Sequence, residues 1–192
     1  MQLQTLQDLY VDVLKDLYDA ESQILKALPK MAKAANSTEL QQGFREHLDQ
    51  TQRHVERLEQ VFDHLGKPAK RKKCKAIEGL LEEGKELMEE ANGSEALDAG
   101  LIAAAQKVEH YEIASYGCAR AYAELLQESE ASKLLQQTLD EEKLTDRKLT
   151  ELAMNQINRD AANGAMDDED DDGTNGRPSS SRRRPAARAS RK

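Results

Sequence analysis

The chain has 192 residues, a formal net charge of −8, 33% charged residues, 4% aromatics, four prolines and ten glycines. Such a length allows one domain of ordinary size plus a tail, and the negative body argues against nucleic acid as its main partner. Two cysteines exclude a disulfide framework, and no apolar run nears the ~18 residues a bilayer span needs.

The first predicted helix covers residues 3–35. Leu6, Leu9, Tyr10, Val13, Leu17, Ile24, Leu28 and Met31 recur at about 100° per residue and form one stripe; Pro29 lies inside it and is expected to kink it. Nothing in "MQLQTLQDLY" reads as a signal peptide, and with the cysteine usage this gives a cytoplasmic expectation. Ser37 is placed to cap a second helix, residues 38–65, whose stripe is Leu40, Phe44, Leu48, Val55, Leu58 and Phe62. Gly66 and Pro68 then stop it.

A basic connector, "KPAKRKKCK", follows at residues 67–75. The cations around Cys74 are expected to lower its thiol pKa. A shorter helix is predicted over 76–91, and Ser94 is placed to cap the next. That third long helix, residues 95–127, is Ala-rich, and a fourth covers 130–159. The sequence after residue 162 has acidic then basic blocks and almost no large apolar side chain, so residues 163–192 read as a disordered tail behind a helical domain of residues 1–162.

Short loops after the first and third long helices predict antiparallel pairs, while the long segment 67–94 can travel the length of a bundle and make the second and third parallel. The predicted fold is therefore all-α, a ferritin-like four-helix bundle with a short extra helix in the long crossover.

Each long helix breaks its apolar stripe near its middle. Glu21 interrupts the first; Thr51, flanked by His47 and His54, interrupts the second. Glu109, Glu112 and Tyr116 interrupt the third, and Thr138, Glu141, Glu142 and Thr145 the fourth. Carboxylates gathered in a low-dielectric core repel one another and take up protons, whereas a pair of divalent metals uses carboxylate oxygens and imidazole nitrogens as its ordinary ligands. In di-metal bundles two helices each give one Glu and two give Glu-x-x-His. Here the fourth helix has Glu142-x-x-Thr145 and the second has Thr51-x-x-His54, so the match is partial. Lys107 and Arg120 lie close enough in sequence to neutralise an acid without metal.

"LYDAESQILKALPKMAKAA", "GLIAAAQKVEHYEIASYG" and "LLQQTLDEEKLTDRKLTELA" closely resemble the YciE/YciF family of bacterial ferritin-like stress proteins, over roughly residues 3–160. The resemblance implies a di-metal site, homodimeric assembly and a role under stress. It carries Glu21, Glu109, Glu112 and Glu142 over as metal ligands. Relatives often have "HLEET" where this chain has "HLDQT", so Gln50 stands in place of an acid.

The expected site is thus Glu21, His47, His54, Glu109, Glu112 and Glu142 around two divalent ions, iron or manganese, with Glu109 and Glu112 bridging or capping the metals. Gln50, Tyr116 and Thr145 would support the ligands by hydrogen bonds. The expected function is iron, oxygen or peroxide handling in stress, with oxidase- or peroxidase-type chemistry left open by the sequence. The alternative is a structural or interaction dimer whose buried polar layer binds no metal. Nucleic acid enters only through the Arg-rich tail, and no membrane association is expected.

Overall fold

The computed structural model describes residues 3–167; the expected tail lies outside the described residues from 168 onward. Helix α1, Leu6–Ala34, opens on a reciprocal cap: the Asp8 amide donates to Thr5 Oγ1 and the Thr5 amide donates to Asp8 Oδ2, each at 3.1 Å. Pro29 sits inside α1 without ending it. Helix α2, Thr38–His64, is capped by Ser37, as its sequence implies. It ends before Gly66, whose φ of +61° suits a residue without Cβ.

Helix α3 is Lys75–Glu90 and α4 is Leu97–Leu125. Ser94 does not cap α4, contrary to expectation. Its hydroxyl donates instead to the Ala91 carbonyl at the end of α3, and α4 starts behind Ala96. Helix α5 is Ser129–Leu152. The single helix expected over 130–159 is interrupted by a π-helical turn, Ala153–Ile157, and continues as α6, Asn158–Asp167, past the expected boundary at residue 162. A π turn widens the local hydrogen-bonded ring by one residue, so side chains beyond it are rotated relative to those before.

The bundle's directions follow from its contacts. The start of α4 meets the α1–α2 turn, where Asp98 accepts from the amides of Asn36 and Ser37 at 2.8 and 2.6 Å. Further along, Tyr116 of α4 reaches Glu21 of α1, so α1 and α4 are antiparallel. Arg57 of α2 meets Thr138 of α5, while Glu46 faces Lys148, so α2 and α5 are antiparallel as well. With the short α1–α2 connection, α2 and α4 run parallel, as the connection lengths imply.

The crossover between them travels along α1, where the Lys72 amide donates to the Lys15 carbonyl, and then packs α3 on α4. This fixes Cys74 in a buried position. Its amide donates to Asp19 and its thiol to the Tyr111 hydroxyl, which donates in turn to Asp16. Burial and the nearby Asp16 charge push the thiol pKa up, against the expectation from its lysine neighbours, whose ammonium groups lie in solvent.

The core has two apolar halves. One holds Tyr10, Leu14, Leu17, Leu58, Phe62 and Leu135; the other holds Ile24, Leu40, Phe44, Leu101, Val108 and Leu149. Full burial of such side chains is worth ~1.5–3 kcal/mol each. Apart from Asp98 at the start of α4, the buried acids and imidazoles of the long helices fall between the two halves, so the stripe breaks meet at one level.

Candidate metal centre

Helical spacing brings the six expected ligands together. Glu21 comes from α1, His47 and His54 from α2 two turns apart, Glu109 and Glu112 from α4 one turn apart, and Glu142 from α5. All are buried, with 4% exposure at most. Their inner atoms form two groups, each spanning no more than 4.8 Å: His47, Glu109, Glu112 and Glu142, and Glu21, His54 and Glu142. The two groups share Glu142.

Each imidazole has one outer partner. His54 Nε2 donates to Glu141 Oε2 at 2.9 Å, and Arg57 holds that carboxylate through two bonds of 2.9 and 2.8 Å. His47 Nδ1 points at Gln50 Oε1, 3.4 Å away. An amide oxygen only accepts, so Nδ1 carries a hydrogen there and Nε2 is the atom turned toward the cluster. This is the pattern by which outer acceptors fix the tautomer of a metal-binding histidine. On the inner side, His54 Nδ1 lies 2.9 Å from Glu142 and 3.5 Å from Glu21, and His47 Nε2 lies 3.2 Å from Glu109. The inner nitrogens and several carboxylate oxygens lack hydrogen-bond alignment. These are Glu21 Oε2, His47 Nε2, His54 Nδ1, Glu109 Oε2 and both oxygens of Glu112 and Glu142. Every one of the six side chains therefore offers a buried atom with no hydrogen bond, which is costly in a bare core.

The electrostatics express the same cost. Burial, with Glu142, Glu21 and Glu109 alongside, drives the Glu112 carboxyl well above the ordinary range. Burial lifts Glu142 to about 7, although His54 pulls it down. Burial works against charging the imidazoles but the carboxylates outweigh it, raising His47 to about 9 through Glu109 and His54 to about 12 through Glu21. The cluster thus holds itself together by keeping protons on Glu112, Glu142 and the two imidazoles. Cations supplied from outside would replace them.

The supporting residues divide. Tyr116 is fully buried and donates to Glu21, and Gln50 faces His47, as expected. Thr145 does not support a ligand: its hydroxyl donates to the Glu141 carbonyl of its own helix, at 3.2 Å. Thr51 likewise spends its hydroxyl on the His47 carbonyl. Lys107 and Arg120 pair with Glu83 and Glu124 at the surface rather than with the cluster.

Arg57 is the cation that sequence reasoning missed. Its position three residues after His54 puts it one turn further along the same face. Glu141 and Glu142, being adjacent, point about 100° apart, so only Glu142 enters the centre while Glu141 meets Arg57. His54 and Arg57 together depress Glu141 to about 2.

Comparison with known proteins agrees with the motifs. Protein YciF of Escherichia coli (strain K12) is 48% identical over 166 residues, which is 86% of this chain and all of that protein. The crystal structure of the E. coli stress protein YciF matches with a TM-score of 0.78 over 81% of this chain and 99% of that one. YcfI of Rhodopseudomonas palustris matches at 45% identity and a TM-score of 0.76, over 78% of this chain and 95% of its own. A Xanthomonas campestris pv. campestris protein, 18% identical, shares the fold with a TM-score of 0.64, over 85% of this chain and 98% of that one. No helix among the described residues is long and apolar enough to cross a membrane. The family profile described as a domain of unknown function, DUF892, matches residues 5–162, and the chain belongs to that family of YciF-like helical bundles.

Proposed function

We propose that the chain binds two divalent metal ions, iron or manganese, at the mid-level of its bundle and serves a bacterial stress response. The observation that carries this reading is the convergence of six buried side chains, each with an atom left without a hydrogen bond, into two ligand groups that share Glu142. In this reading His47, Glu109, Glu112 and Glu142 would hold one ion, and Glu21, His54 and Glu142 the other. Glu142 thus belongs to both groups, whereas the sequence expectation had Glu109 and Glu112 bridging or capping the metals. A donor set of carboxylates with two imidazoles suits iron or manganese.

A redox-active pair in this place supplies electron exchange with oxygen or peroxide. The chain's own residues set the conditions for it. The Glu141–Arg57 pair orients His54, Gln50 orients His47, and Tyr116 holds Glu21 by a buried hydrogen bond. Apolar side chains pack above and below the layer. E. coli YciF is named as a stress protein, which supports the physiological half of the proposal. The assembled state is a homodimer in this reading, with size-exclusion light scattering as its check.

Metal analysis of protein purified without chelator tests the assignment. About two equivalents of iron or manganese per chain are expected, and Glu109→Ala should lower that content sharply. A second reading, a metal-free polar layer in a structural dimer, draws on the imidazole–carboxylate contacts, which already offset part of the charge. Under that reading Glu109→Leu leaves the protein folded and changes no metal content.

A further inference from the structure

Beside the ligand cluster lies a cavity of about 550 Å³, bounded by α1, α2, α4 and α5. Its walls are apolar: Ile24, Leu28, Met31, Phe44, Val108 and Leu149. At its inner end stand His47 and Glu109, 4% and 2% exposed, whose Nε2 and Oε2 atoms have no hydrogen-bond partner. The outer end is lined by the exposed side chains Glu39, Glu46, Glu151 and Lys148, so the cavity reaches the surface. Leu152 and Asn155, on either side of the start of the π-helical turn, form part of the same wall. This volume and this balance of apolar lining with few convergent polar groups are those of small-molecule sites.

Gly43 adds a separate observation. It lines the cavity from the interior of α2, where glycine costs ~1 kcal/mol relative to alanine. No close packing requires it: a Cβ built there meets nothing within 4 Å, and its φ is not positive. A side chain in its place would stand in open space at the cavity's lining.

The charges restrict the ligand. Three acids and one lysine stand at the outer end, with Lys148 4.0 Å from Glu46, and carboxylates crowd the inner end. The net negative outer end disfavours entry of an anion. We propose that the cavity binds an uncharged, largely apolar small molecule, one end of which reaches His47 and Glu109. The role of the inner end rests on the metal reading above; occupancy of the cavity does not.

The test is fluorescence titration of the full chain with the neutral probe N-phenyl-1-naphthylamine. One probe per chain is expected, displaced by 1-decanol but not by decanoate at the same concentration. Gly43→Leu adds a bulky side chain at the cavity's lining and removes a helix-interior glycine, so it should fold, keep its metal and weaken probe binding at least tenfold. Glu112→Gln lies off the cavity wall and should lose metal while keeping the probe. Manganese loading should quench the bound probe, because the inner end adjoins the cluster. Undiminished probe binding in Gly43→Leu, equal competition by decanoate, or binding that falls as chain concentration rises, with a second copy covering the mouth, would each overturn the proposal. Retention of metal by Glu112→Gln would sink the metal reading and leave the cavity's occupancy standing.

Discussion

Glu112→Gln separates the cost of the bare cluster from its use. The Glu112 side chain is fully buried, neither oxygen has a hydrogen bond, and three other carboxylates crowd it. Its pKa in the folded protein is raised well above the ordinary 4.5. Below pH 4.5 both folded and unfolded chains carry the proton, and nothing is lost. As pH rises past 4.5 the unfolded chain ionises while the folded one resists, so folding is penalised increasingly up to the folded pKa. At ~1.4 kcal/mol per pH unit above 4.5, keeping the proton at pH 7 costs at most about 3 kcal/mol. Glutamine has nearly the same shape and bears no such cost. In chelator the variant should therefore gain stability at pH 7, up to about 3 kcal/mol, and almost nothing at pH 4.5. For a chain of this size that ceiling is about 6–12 °C in Tm, readable by calorimetry or circular dichroism. With saturating manganese the order should reverse, because the variant loses a ligand and with it the stabilisation that bound metal gives. Equal gains at pH 4.5 and pH 7, or a loss in chelator at pH 7, would refute the argument that ionisation of a crowded buried acid sets the penalty.

Other consequences are as direct. Metal must displace protons from His47 and His54, whose pKa values are raised to about 9 and about 12, and from Glu112, so apparent affinity should climb with pH; two or more displaced protons give roughly a hundredfold or more per pH unit for filling both sites, measured by calorimetric titration between pH 6 and 8. Arg57→Met leaves the apolar halves untouched but frees Glu141, and should weaken metal binding ~10–100-fold with the fold intact by circular dichroism. Asp98→Ala strips the amides of Asn36 and Ser37 of their acceptor at the α2 N-terminus, and should cost about 2 kcal/mol in denaturant unfolding at any metal concentration. Leu14→Ala opens a void in an apolar half far from the acids, and should cost ~3–5 kcal/mol while leaving metal content per folded chain unchanged.

The sequence by itself determined the helices, because apolar positions recurring every three or four residues around Leu17, Leu58 and Leu149 admit only one periodic structure. Loop lengths determined the parallel pairing of α2 and α4, since residues 67–94 are long enough to cross the bundle. The level of the buried polar layer was legible too, as Glu21, Thr51, Glu109 and Glu142 each interrupt a stripe near its midpoint. What the sequence left open depended on contacts between distant segments. Cys74 is flanked by lysines in the chain yet is buried against Tyr111 and Asp16 in the fold, so local charge gave the wrong direction for its thiol. Glu141 and Glu142 are chemically identical neighbours, and only the side of α5 turned toward α2 decides which one meets Arg57 and which one enters the cluster. Thr145 occupies a ligand position in the motif, yet its hydroxyl is consumed by its own helix. The cavity behind His47 has no sequence signature, because it is space enclosed by four helices rather than a property of any one of them. Periodicity is a local quantity and is written into each segment; which charge faces which depends on rotation and depth, and those are set only when the helices pack.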